Sequence, residues 1–196
     1  AAFDGQKVDF ASYTQDGRKI LVSVMSDRNP GQLYLFDRDS GKARPLLARK
    51  PQIDPGKMAS TKPFTFTARD GQLIHAYLTL PHGSEGRNLP LIVNPHGGPI
   101  GPRDDWSFNP EAQLFASRGY ATLQINFRGS GGYGKAFQDA GHQQWDQGIQ
   151  NDILDATHWV INNGYADRER ICIYGGSFGG YSSLMAPIRE PGLFKC

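Results

Sequence analysis

The 196 residues carry a net charge of +2, with 38% hydrophobic and 20% charged residues and a mean hydropathy of −0.50. That balance excludes an intrinsically disordered chain and gives no electrostatic reason to expect nucleic acid or an anionic membrane as partner. No apolar run approaches the roughly 18 residues of a membrane span, and Ala1-Ala2-Phe3-Asp4 is no signal peptide, so cytoplasmic, periplasmic and secreted settings all stay open. Cys172 and Cys196 are the two cysteines; they are too few for a disulfide scaffold, lack metal-ligand spacing, and read as core or near-core thiols.

In chain order, residues 3 to about 50 read as β-structure with tight turns. Lys19 to Met25 and Gln32 to Asp37 are strands, Pro30-Gly31 and Asp39-Ser40-Gly41-Lys42 are turns, and a further strand covers Ala43 to Ala48. The turn spacing suits one four-stranded blade of a propeller, which cannot bury a core alone; an independent small β-domain has the same pattern. Three prolines mark Pro51 to Pro63 as a linker. Up to and including Lys62 there are 11 basic and 7 acidic residues, and beyond it 10 and 12, in keeping with two unlike segments.

From Phe64 the pattern changes. Phe64 to Thr67 and Leu73 to Leu80 flank Arg69-Asp70-Gly71-Gln72, a hairpin signal. Leu89 to Val93 is a short apolar run typical of a buried strand, Pro110 to Arg118 a helix, and Tyr120 to Asn126 another buried strand. Ile149, Ile153, Ala156 and Val160 recur on one helical face between Gln147 and Asn163, closed by Asn163-Gly164. Strand Ile171 to Tyr174 and a helix after Ser177 complete the run. Alternating strands and helices after an opening hairpin imply an α/β sheet covered on both faces. Pro187 removes a hydrogen bond from the last helix and should kink or stop it.

Gly175-Gly176-Ser177-Phe178-Gly179 is G-x-S-x-G between a strand and a helix, the context of a nucleophile elbow. A serine on so sharp a turn needs glycines two residues to either side, and the turn aims the first amides of the helix at the hydroxyl's reaction partner. The amide of Phe178 is one candidate oxyanion donor. A second is expected from a loop after an earlier strand, and His96-Gly97-Gly98-Pro99 fits, with the His96 side chain a structural group holding the loop.

Phe127 to Lys135 imitates a phosphate loop, since Gly129, Gly131 and Gly134 satisfy G-x-G-x-x-G after a strand. Position 136, however, is alanine where a P-loop needs Ser or Thr for Mg²⁺. Asp152, at the distance of a ribose-binding carboxylate, lies in a predicted helix. The loop reads instead as packing beside the elbow, with Arg128 paired to a carboxylate. The competing functions are a carboxylesterase or lipase, a nucleotide-binding module using Gly129 to Lys135, and a non-catalytic interaction protein. All five histidines precede Ser177, whereas α/β-hydrolases order their triad Ser, Asp or Glu, His.

Taken together, these motifs resemble the prolyl oligopeptidase family of serine peptidases, on its acylaminoacyl-peptidase and dipeptidyl-peptidase side. The resemblance rests on His96-Gly97-Gly98-Pro99, Asn126 to Gly134, Gly175 to Tyr181, and Tyr77-Leu78-Thr79-Leu80-Pro81 after the Lys62-Pro63 entry. It implies the closing strands of a β-propeller (1–50), a linker (51–63) and the first part of an α/β-hydrolase domain (64–196). It also implies hydrolysis of short peptides without metal or organic cofactor, in a full-length protein that can be a homo-oligomer. By resemblance Ser177 is the nucleophile, with Phe178 N–H and Gly98 N–H as oxyanion donors; some branches use a tyrosine side chain where this sequence has His96. The family's aspartate and histidine would then lie beyond position 196, and residues 1–196 alone would be inert.

Overall fold

In the computed structural model, which describes residues 3–196, two sheets follow one another along the chain. The first is an antiparallel meander of β1 (Lys7–Tyr13), β2 (Lys19–Met25), β3 (Gln32–Asp37) and β4 (Lys42–Ala48). Its turns use Gly17 and Gly41 at positive φ, where a side chain would be strained. Only β2 contributes fully buried apolar side chains, Val22 and Val24, while Phe10 and Tyr13 on β1 are 78% and 77% exposed. The sheet therefore has half a core, as expected of a segment that cannot bury one alone.

The stretch predicted as linker is shorter than Pro51 to Pro63. Asp54 caps a 3₁₀ turn at Pro55–Lys57, and β5 (Ser60–Thr67) already begins at Ser60. Pro63 sits in this strand at an edge, where no neighbour needs its missing N–H. The join is hydrogen-bonded. Asp27 of the β2–β3 loop accepts from the Thr61 N–H at 2.7 Å, and the Gln113 side chain donates to the carbonyls of both Asp27 and Ala59.

The second sheet has the order β5-β6-β8-β7-β9, with β6 (Leu73–Leu80), β7 (Leu89–Val93), β8 (Ala121–Asn126) and β9 (Ala166–Ile173). β5, β6 and β8 pair antiparallel, whereas β7 runs parallel to β8 and β9. Helices α1 (Pro110–Ala116), α2 (Lys135–Asp139), α3 (Gly148–Asn162) and α4 (Phe178–Arg189) connect or flank the strands. The predicted face of α3, Ile149, Ile153, Ala156 and Val160, is fully buried against them, and α1 is capped by Asn109 accepting from the Ala112 N–H. Among the described residues no helix is long and apolar enough to cross a membrane.

Four features depart from the sequence reading. β9 starts five residues before Ile171, because Asp167-Arg168-Glu169-Arg170 is a polar run at an irregular register that hides the strand. The five-residue α2 is too short to show a period. α4 passes Pro187 and ends only at Arg189; the proline falls in the last turn, where few hydrogen bonds remain to be lost. The cysteines are not thiols: Cys172 and Cys196 form a disulfide. Lys195 and Cys196 return along the open edge of β9, through Lys195 N–H to Ile171 O and Ile173 N–H to Cys196 O, which brings the sulfurs together across neighbouring strands.

The hairpin β5–β6 is tied to α3 by charge. Arg128 donates to both Asp152 oxygens through its side chain, at 2.9 and 2.7 Å, and a third time through its backbone N–H. Its remaining edge meets Asp70 of the hairpin turn at 2.7 Å, and neighbouring Arg69 forks onto Asp155. The Arg128 and Asp152 side chains are 11% and 0% exposed. Removing one member of such a pair leaves a buried uncompensated charge. Arg128→Ala is expected to lower unfolding stability by about 3–5 kcal/mol, against about 1 kcal/mol or less for Arg69→Ala at the more exposed pair, as read from urea denaturation.

Candidate active site

Ser177 sits between β9 and α4 with φ 56° and ψ −122°, a backbone strained for any residue but glycine and maintained by its surroundings. The glycines two positions away explain how. A side chain at Gly179 would place its Cβ 2.2 Å from the Pro95 carbonyl oxygen, and one at Gly175 would place it 2.8 Å from both that oxygen and the Gly179 backbone. Neither site tolerates a Cβ, because all the colliding atoms are main chain. Gly176, by contrast, has open space around it. The turn leaves Ser177 exposed and Phe178 buried, its ring packed against Phe127, Trp145 and Tyr181.

The loop after β7 lies directly over this turn. A Cβ at Gly97 would be 3.4 Å from the Ser177 Cβ and 3.8 Å from its Oγ, so the predicted loop and the predicted nucleophile do meet. Gly98 follows at φ 133° with its space filled by Pro102 and Ile100, and the Gly98–Pro99 peptide is cis. Among the described residues, neither the Gly98 N–H nor the Phe178 N–H donates to a protein acceptor. Each of these unpaired N–H groups belongs to a chain neighbour of the Gly97–Ser177 contact, and unpaired donors are the chemistry an oxyanion requires.

His96 is held rather than free. Its Nδ1 lies 2.7 Å from the Gly97 carbonyl and its Nε2 2.9 Å from Ser130 Oγ, and the ring stacks on Phe127 at 4.2 Å. Burial holds the imidazole below its usual pKa, so the ring is neutral near pH 7. The carbonyl can only accept, which assigns the proton to Nδ1 and leaves Nε2 to accept from Ser130. Ser130 has a single proton for two acceptors, Nε2 and the Phe127 carbonyl at 2.7 Å. With both nitrogens engaged, His96 fixes the loop and is no base for Ser177.

The remaining histidines are placed elsewhere. His158 bonds Glu190 at 2.8 Å, His75 stacks on Tyr133, His142 lies beside Asp139, and His82 borders a small cavity with Gln113 and Lys57. Among the described residues, Ser177 Oγ has no hydrogen-bond partner.

The phosphate-loop imitation at Gly129 to Lys135 serves packing. A Cβ at Gly129 would meet Ile100 at 2.8 Å, one at Gly131 would meet the Gly101 carbonyl at 2.2 Å, and one at Gly132 the Arg103 guanidinium at 2.5 Å. Backbone bonds join the two loops as well, from Gly101 N–H to Gly129 O and from Gly131 N–H to Gly101 O. The glycines accommodate a neighbouring loop; Asp152 lies on α3 as the residue pattern suggested, and it is the carboxylate that pairs with Arg128.

Comparison with known proteins points the same way. Residues 106–196 match the prolyl oligopeptidase family. The dipeptidyl aminopeptidase BIII of Pseudoxanthomonas mexicana is 33% identical over 190 residues, covering 93% of this chain and 27% of the relative. The dipeptidyl peptidase family member 6 of Caenorhabditis elegans is 33% identical over 210 residues, covering 96% and 28%. The solved acylaminoacyl peptidase of Pyrococcus horikoshii superposes with a TM-score of 0.77 at 31% identity, covering 96% of this chain and 30% of that one. The chain thus spans little more than a quarter of the length of these curated relatives. The second sheet and its helices have the α/β-hydrolase fold, with a separate antiparallel sheet before it.

The two kinds of glycine in the elbow separate experimentally. Gly179→Ala forces main chain apart and is expected to cost about 1–3 kcal/mol or more, whereas Gly176→Ala stays within about 0.5 kcal/mol of the parent. Midpoints of chemical denaturation for the two variants measure the contrast.

Proposed function

This chain belongs to the prolyl oligopeptidase family, and on that premise we propose that it supplies the nucleophile and oxyanion donors of a serine peptidase acting on short peptides. The observation that carries the reading is Ser177 at a strained elbow, φ 56°, with the Gly97–Gly98 loop against it. Ser177 Oγ attacks the scissile carbonyl carbon as its proton passes to a general base. The negative charge that develops on the carbonyl oxygen is met by the Phe178 and Gly98 N–H groups. Collapse expels the amine, protonated by the same base, and leaves an acyl group on Ser177 that water then removes. The base and its carboxylate partner are assigned to residues outside 1–196, because both nitrogens of His96 are occupied. No metal or organic cofactor enters this scheme.

A carboxylesterase would use the same atoms. The antiparallel sheet ahead of the hydrolase fold and the peptidase names of the relatives favour the peptide reading. On it, residues 1–50 close a β-propeller, a linker shorter than 51–63 follows, and the hydrolase domain opens with β5 at Ser60. The disulfide Cys172–Cys196 supports an oxidising compartment, since cytosolic thiols are kept reduced; non-reducing peptide mapping that finds two free thiols would remove that support.

Labelling by a fluorophosphonate probe and hydrolysis of short peptide amides test the peptidase reading in the full-length protein and in residues 1–196. Full-length protein is expected to react in both assays, with Ser177→Ala lowering turnover by roughly 10⁴-fold or more. Residues 1–196 alone are expected to label slowly or not at all, because a serine without a neighbouring imidazole is a weak nucleophile. Full-length protein that turns over substrate equally well as Ser177→Ala would refute the assignment.

A further inference from the structure

Two aspartates beside β8, the buried Asp152 and the half-buried Asp104, are treated very differently. Asp152 receives three N–H donors, two of them from a guanidinium. Asp104, in the loop that descends from Gly98, receives one: the Gln124 amide donates to its Oδ1 at 2.7 Å. Its other oxygen, Oδ2, is enclosed and has no partner among the described residues. The adjacent Arg103 offers no help, since its guanidinium lies over Gly132 and the Tyr133 ring. A carboxylate with a single neutral donor is poorly solvated, whereas a carboxylic acid in the same place loses far less.

The main chain of the same residue carries the loop's attachment. Its N–H donates to Asn126 Oδ1 at 2.8 Å, and its carbonyl accepts from Asn126 Nδ2 at 2.9 Å. That Nδ2 also lies 2.7 Å from the Tyr133 hydroxyl, which belongs to the neighbouring loop. His96 binds the same neighbouring loop through Ser130. The loops after β7 and β8 are therefore one body, anchored to β8 through Gln124 and Asn126, and Asp104 is the residue that takes both anchors.

We propose that Asp104 is a positioning residue of the Ser177 site: its main chain and its Oδ1 tie the His96–Arg103 loop, and with it the Gly98 amide, to Asn126 and Gln124 of β8, and a charge on its enclosed, unpartnered Oδ2 loosens that attachment. The proposal rests on the peptidase reading only for its consequence in catalysis. Burial, opposed by the Gln124 bond, pushes the Asp104 carboxyl up to about 7, with Asp105 and Glu111 adding like charge. The other titratable groups around it are Arg103 on the loop, Tyr77 and His75 on β6, and Tyr133 on the neighbouring loop. Burial lowers the His75 imidazole below its ordinary pKa and raises the Tyr77 hydroxyl above its own, so neither carries charge near pH 7.

The sign follows from proton binding. An unfolded aspartate releases its proton near pH 4, the folded one near 7. Between those values the folded state holds the extra proton, so stability falls as pH rises from about 4 to about 7 and the loss is complete above it.

The test compares the full-length protein with Asp104→Asn and Gln124→Leu. Three readouts are followed from pH 4 to pH 9: melting temperature, the Trp106 contribution to tryptophan emission taken as the difference from a matched Trp106→Phe variant, and kcat/KM on a peptide amide. Trp106 is two residues from Asp104, and its indole donates to the Thr61 carbonyl, so it reports the loop without needing activity. Wild type is expected to lose melting temperature relative to Asp104→Asn between pH 4 and 7, with a Trp106 transition near 7 and an alkaline fall in kcat/KM that Asp104→Asn lacks. Gln124→Leu, deprived of the one donor, should move the Trp106 transition to higher pH. A Trp106 signal and melting difference that do not change with pH would overturn the proposal, even if Asp104→Asn cannot be produced, because wild type and Gln124→Leu still report. An inactive wild type would refute the peptidase reading, while the melting and fluorescence results would still decide the role of Asp104.

Discussion

The Pro95 carbonyl oxygen occupies the place where a Cβ at residue 179 would stand, 2.2 Å from it, and it lies 2.8 Å from where a Cβ at residue 175 would be. Three pieces of main chain meet there: the exit of β7, the exit of β9 and the first turn of α4. Parallel pairing of β7 with β9 brings the two exits side by side, and glycine at 175 and 179 lets them close. The approach holds Ser177 in its left-handed conformation, and it sets Gly97 against the serine. A bulkier residue at either glycine would separate the nucleophile from the loop that faces it, so the site depends on this contact more than on any hydrogen bond.

Outward from that contact the same device repeats with different partners. Gly129, Gly131 and Gly132 let the loop after β8 lie on the loop after β7, and Gly148 lets the Arg128 side chain lie on α3, where a Cβ would be 2.8 Å from its Cδ. Arg128 then anchors the packed loops to α3 and to the hairpin turn through Asp152 and Asp70. Burial pushes the Asp152 carboxyl up, while the Arg128 guanidinium and N–H pull against it; the fork of donors satisfies both oxygens. Steric closeness at the elbow thus extends into an electrostatic clamp at the back of the sheet.

Much of this was legible in the sequence, for identifiable reasons. The α3 face, the β5–β6 hairpin and the elbow are local patterns, in which period, turn residues and glycine spacing all agree. The role of the glycines in Gly129 to Gly134 could be narrowed by what was missing, a hydroxyl at position 136 and an acidic residue at a strand end, Asp152 lying in a helix instead, but the loop they receive could not be named from sequence. The first half of β9 was hidden because Asp167 to Arg170 points charge outward with no alternation. The disulfide was illegible for a different reason. Cys172 and Cys196 are 24 residues apart, and what joins them is the return of Lys195 and Cys196 along β9, a tertiary event. At the site, Ser177, Phe178 and Gly98 came from motif and resemblance, while Asp104 and its anchors carried no motif at all.

Why Asp104 was invisible is instructive about β8. Ala121-Thr122-Leu123-Gln124-Ile125-Asn126 alternates strictly, and such alternation ordinarily describes a strand with one face in water. Here both faces are buried. Leu123 and Ile125 face the apolar core, while Gln124 and Asn126 lie under the descending loop and bind it. Tyr77 and His75 stand opposite them across the pair with β6, extending the polar layer sideways. A loop laid over an apolar face would leave its own N–H and C=O groups unpaired, at a cost of about 1–3 kcal/mol each. Side-chain amides on the strand remove that cost, and they do so without charge, so the carboxyl of Asp104 placed among them receives a neutral donor rather than a cation. The polar face of β8 is therefore a template for loop backbone rather than a solvent face, and the unusual environment of Asp104 is the direct consequence of building that template from amides.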